Sequence, residues 1–132
     1  MDKRMCKAEL IKLIESLGID YDEFWILSTS ALVIRDLFPN AGDLDIAVTE
    51  RGLAELKENF TLVQKPNGWY IVNDKVECIV DAKEDWKIEK YGKYNLESIK
   101  KYYDYLITSQ REKDKIKLEI VQKYIKDNNI NI

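Results

Sequence analysis

The chain has 132 residues, 45% apolar and 34% charged, with a formal net charge of −3. That length suits one domain over residues 1–132 with enough apolar content for a core, and the acidic balance argues against broad nucleic-acid binding. With no histidine and only two cysteines, Cys6 and Cys78, Ser-His-Asp and Cys-His relays and histidine-based zinc sites are excluded.

Any metal in such a chain must be held by oxygen, which selects hard ions such as magnesium, manganese or calcium. The N-terminal MDKRMCKAELIKLIESLG has no apolar run flanked by a cleavage site, and no stretch reaches the roughly 18–20 apolar residues of a membrane span. The expectation is a cytoplasmic protein with no membrane partner and with reduced thiols.

In chain order, Ala8, Ile11, Ile14 and Leu17 recur at helical spacing, so residues 3–17 read as an amphipathic helix between Asp2 and Gly18. FWILS (24–28) is short, apolar and aromatic, a strand, and STSALVIRDLF then offers hydroxyl caps for a short helix ending near Pro39. After the loop NAGD, DLDIAV reads as a strand and Thr49 as the cap of a helix over residues 50–58. FTLVQ, WYIV and VECIV, separated by KPNG and NDK, read as an antiparallel meander, with Asn67-Gly68 suited to positive φ.

From Asp81 to Tyr94 the pattern weakens to a charged, aromatic connector, and Asn95 is expected to cap a helix to about residue 107. SQRE (109–112) has the capping-box form before a last helix carrying Ile116, Ile120 and Tyr124. The expected fold class is α+β, a mixed and mostly antiparallel sheet of about four to five strands against helices, with C-terminal helices.

The chemistry concentrates in DLD. Alternate strand residues share a face, so Asp43 and Asp45 point one way while Leu44 and Ile46 point into the apolar layer. Two carboxylates about 7 Å apart repel when ionised, and a shared cation removes that penalty. Glu77 in VECIV is the natural third ligand, and Asp81 shares its strand parity. Tyr91, Tyr94, Tyr102, Tyr103 and Tyr105 either stack on a base or pack in the core.

The order of strand, hydroxyl-rich turn, helix, Asp-x-Asp strand and later acid resembles the nucleotidyltransferase superfamily, the polymerase-beta-like group, and especially its small bacterial members. LSTSALVIRDL looks like the family's turn and helix, GDLDIAV like its metal-binding strand and KVECIV like its third-acid strand. REKDKIKLEIVQKY is similar to the Arg-x-Lys-Asp helix that closes many members, so the resemblance runs from about residue 24 to 125.

What the resemblance implies is a nucleotidyltransferase fold. It also implies transfer of a nucleoside monophosphate from an NTP to an acceptor (RNA, protein or small molecule) with Mg²⁺ or Mn²⁺ on Asp43, Asp45 and Glu77. Ser28, Thr29 and Ser30 would occupy the turn that holds the phosphates, and Arg35 on the following helix is a further phosphate-binding candidate. Two-metal chemistry of this kind needs no histidine. The chain departs from the family at Ser28 and Thr29, where glycine is usual: side chains there block close approach of backbone N–H groups, or their hydroxyls donate in their place. That departure and the small size motivate an alternative, a catalytically weak or inactive relative that binds a protein partner as an antitoxin-like or regulatory module.

Overall fold

A computed structural model describes residues 4–131. The fold is α+β: five α-helices and two short 3-10 turns accompany one mixed sheet. Helix α1 (Lys7–Ser16) starts at Cys6, whose backbone N–H donates to the Glu9 side chain at 3.2 Å, and buries Leu10 and Ile14 one turn apart. It stops at Gly18, whose φ of +68° suits glycine and whose missing Cβ would lie 2.9 Å from the Asn59 side chain. Asp2, the expected start of this helix, lies outside the described residues.

Strand β1 (Phe24–Ile26) is buried along its whole length and leads into α2 (Ser28–Ile34). Strand β2 (Leu44–Val48) is followed by α3 (Glu50–Asn59), whose N-cap Thr49 accepts the Gly52 N–H. The meander β3 (Val63–Gln64), β4 (Tyr70–Asn73) and β5 (Val76–Val80) is antiparallel as its hairpin residues suggest, with Gly68 at φ +94°.

The sheet has seven strands in the order β3-β4-β5-β2-β1-β7-β6, not four to five, and two of its pairings, β2 with β5 and β1 with β7, are parallel. The additional strands are β6 (Ile88–Tyr91), inside the segment that reads as a connector, and β7 (Tyr94–Glu97), which completes a hairpin with it where a helix is expected from Asn95. Its sequence hides it because β6 is an edge strand with Glu89, Lys90 and Tyr91 exposed, so no apolar alternation develops. Asn95 is accordingly a buried strand residue whose amide donates to the Tyr21 and Phe24 carbonyls, and the cap of α4 (Ile99–Thr108) is Ser98. Ser109 likewise does not cap α5 (Glu112–Asp127); its hydroxyl donates to Asp114 at 2.7 Å.

One face of the central strands, with Ile26, Leu44, Ile46, Val76 and Cys78, belongs to a core shared with α1, α2 and α3. A second cluster joins Ile99, Tyr102 and Leu106 of α4 and Val121 of α5 to Leu32 of α2. Fully burying side chains of this size stabilises by about 2 kcal/mol each. The other face of β2 carries Asp45, which lines a pocket with residues of α2, α4 and α5, and Glu77 lies beside it on β5. No helix is long and apolar enough to cross a membrane among the described residues.

Candidate active site

The site begins where β1 turns into α2. Ser28 has φ +55°, in the left-handed region that glycine enters at little steric cost. Its N–H donates to Glu97 Oε1 at 2.8 Å, and the other Glu97 oxygen accepts from Lys101 Nζ at 2.6 Å. Two further bonds lace the turn to the acidic strand: Ser30 Oγ donates to the Asp43 carbonyl at 2.9 Å, and Leu27 N–H donates to the Asp45 carbonyl at 3.0 Å.

Asp43 is exposed just before β2, and Asp45 is half-buried within it. The parallel register sets Asp45 directly beside Glu77, where neighbouring strands lie about 4.8 Å apart. Asp81 follows the end of β5, its backbone N–H on the Val48 carbonyl, about 13 Å farther along the strand than Glu77. Register therefore groups Glu77, not Asp81, with the aspartates. Burial, then the Asp43 charge and then that of Glu77 push the Asp45 carboxyl up to about 6, with Lys65 opposing them. Lys65 Nζ lies 2.9 Å from Glu77 Oε1.

The Asp-x-Asp end of β2 opens into a pocket of about 170 Å³ that brings Ser28, Thr29 and Ser30 together with Asp43 and Asp45. Its far wall comes from α4 and α5: Tyr102, Tyr105, Arg111, Lys113, Asp114 and Lys117. Asp114 is buried; burial raises its pKa, but hydrogen bonds from Ser109 and Tyr105 outweigh it and hold the carboxyl low. Lys117, absent from the sequence-based candidates, is the cation set deepest in the pocket wall: only 8% exposed, it donates to Thr29 Oγ1 at 2.7 Å and lies 3.7 Å from Asp114. Its signal was the three-residue step from Asp114 on one helix face. Burial lowers its pKa, and Asp114 opposes that.

Arg35 does not join this group: its buried guanidinium pairs with Glu89 of β6 at 2.6 Å. Of the tyrosines, Tyr102 and Tyr105 line the pocket, whereas Tyr94 packs edge-on against Tyr21. Among the described residues no three His, Cys, Asp or Glu side chains form a preassembled metal-binding group. The donors near Asp45 are nevertheless all oxygens, and the like-charge strain on its carboxylate is of the kind a hard divalent cation relieves. Comparison with family models, with curated proteins and with solved structures found no match.

Proposed function

We propose that this protein is a metal-dependent nucleotidyltransferase, moving a nucleoside monophosphate from an NTP to an acceptor oxygen. One observation carries the reading: the hydroxyl-rich turn, both aspartates and the α5 cations line the same pocket although they come from three separate stretches of chain.

Asp43 and Asp45 would hold the metal, with Glu77 joining once Lys65 leaves its carboxylate. Bound divalent ions would neutralise these acids and draw charge from the transferred phosphoryl group. The chain's own groups supply the rest. Lys117 and Thr29 present an ammonium and a hydroxyl at the turn, and Arg111 and Lys113 add positive charge at the pocket wall, a donor set suited to phosphate oxygens. The Ser28 N–H is engaged by Glu97, so the hydroxyls and Lys117, not that amide, face an incoming anion. Glu77, an acceptor-only carboxylate beside Asp45, would then orient an attacking hydroxyl and take its proton.

The test is a titration of Mg²⁺ and each NTP while following thermal unfolding. A metal-dependent rise in Tm with at least one NTP, abolished by Asp45→Asn, is the expected result; no rise in the wild type overturns the catalytic reading.

A second reading, a catalytically inactive relative acting as an antitoxin-like or regulatory binding module, is favoured by the Lys65–Glu77 pair, which occupies the third acid. NTP-dependent stabilisation without label transfer from any α-labelled NTP would decide for it.

A further inference from the structure

Beyond Ser28 and Asp45 the phosphate pocket continues into a second recess of about 230 Å³. The two share Leu27, Ser28, Asp45, Tyr102 and Tyr105, and the recess adds Trp69, Glu97 and Lys101. Its character differs from the phosphate pocket because Arg111, Lys113 and Lys117 do not line it and Trp69 joins the shared Tyr102 and Tyr105.

On the α4 side, the Tyr102 and Tyr105 rings stack at 5.9 Å with an interplanar angle of 8°. Tyr105 keeps 42% of its surface exposed, and its hydroxyl is fixed by donation to Asp114 at 3.1 Å and acceptance from Arg111 at 3.1 Å. On the other side, Trp69 is set by the β3–β4 hairpin, where its N–H donates to Asn67 Oδ1 at 3.1 Å and its carbonyl accepts the Lys65 N–H at 2.7 Å. Large aromatic rings left accessible on two separate elements, each anchored by hydrogen bonds, offer planar apolar surface to a planar ligand at small ordering cost.

We infer that this recess is the nucleobase subsite, with Trp69 and Tyr105 as the residues that give an NTP its advantage over bare polyphosphate. The inference rests on the nucleotidyltransferase reading and extends it. The base lies between Trp69 and Tyr105 while the phosphates reach past Ser28 and Asp45 toward Lys117. Glu97, whose side chain is 5% exposed, joins Asp45 as a carboxylate of the recess lining, an acceptor for an amino-bearing base edge.

Calorimetric titration in Mg²⁺ with the four NTPs and with inorganic tripolyphosphate separates the two ideas. Wild-type protein is expected to bind at least one NTP about tenfold or more tighter than tripolyphosphate. Trp69→Leu should erase most of that preference and leave tripolyphosphate affinity unchanged, whereas Tyr105→Leu, which also frees Arg111 in the phosphate pocket, should lower NTP affinity by a larger factor than tripolyphosphate affinity. Trp69→Phe and Tyr105→Phe, which keep a ring, should retain the preference. Equal wild-type affinity for NTP and tripolyphosphate, or a preference surviving both leucine variants, overturns the base subsite while sparing phosphate binding. Failure of both ligands to bind overturns the functional reading and the subsite with it.

Discussion

The Ser28 backbone N–H and the Glu97 carboxylate, 69 positions apart in sequence, meet at 2.8 Å. This bond ties the left-handed turn before α2 to the last residue of β7. A buried carboxylate holding two donors loses both partners on truncation, and the orphaned N–H then carries its own desolvation cost. Glu97→Ala should destabilise by about 2–3 kcal/mol and Glu97→Gln by less than half of that, read from urea denaturation. Equal effects of the two would show that side-chain volume, not the bond, is what Glu97 contributes.

Ser28 itself sits at φ +55°, where a Cβ is disfavoured. Ser28→Gly is expected to be neutral or stabilising by up to about 1 kcal/mol, strain relief being partly offset by the freer unfolded chain. Ser28→Val should destabilise by about 1–2 kcal/mol, since a β-branched residue fits this region poorly. Paired thermal melts check both, and a loss on introducing glycine would mean the serine hydroxyl outweighs the backbone strain.

Asp45 makes metal-free stability depend on pH. Its folded pKa, about 6, lies above the ordinary 3.8, so between those values the folded state binds more protons than the unfolded state. Stability therefore rises as pH falls through about 6 and levels off near 4. Asp45→Asn should raise stability at pH 7.5 by about 1–2 kcal/mol, a figure discounted for its partial exposure. The gain should vanish near pH 4. Denaturation at a series of pH values in chelator would reveal it, and an unchanged difference across that range would refute it.

Lys65 is a resident cation for Glu77, with the pair about one third exposed on each side. Such a pair contributes at most about 1 kcal/mol, so Lys65→Met should cost little stability. It should also raise the Asp45 pKa further, because Lys65 opposes the upward shift. With the competing ammonium gone, Mg²⁺ or Mn²⁺ should bind several-fold tighter in direct titration. Unchanged or weaker metal binding would show that Glu77 takes no part in holding the ion.

Much of this protein was legible along the chain because the deciding signals are local. Helical spacing marks α1 and α5, Thr49 marks the start of α3, Gly68 marks a hairpin, and strand alternation in LDIAV and VECIV separates the acids from Leu44, Ile46, Val76 and Cys78. Two of the expectations that missed, Asn95 and Ser109 as helix caps, rested on local preferences that distant partners outcompeted. Asn95 is taken by the Tyr21 and Phe24 carbonyls and Ser109 by Asp114.

The sequence by itself determined which residues carry charge, which face of each strand is apolar, and that any metal chemistry must use oxygen ligands. Only the tertiary structure decided which of those residues meet. The parallel pairing of β2 with β5 puts Glu77 beside Asp45 and leaves Asp81 beyond the strand end. The packing of α4 and α5 against α2 brings Lys117 to Thr29 across 88 positions, and Arg35, at the C-terminal end of α2, pairs with Glu89 instead. The physical reason is that periodicity reports only which side of an element faces the core. Register and helix packing are set by the summed burial of whole faces, and no short stretch of sequence contains that sum.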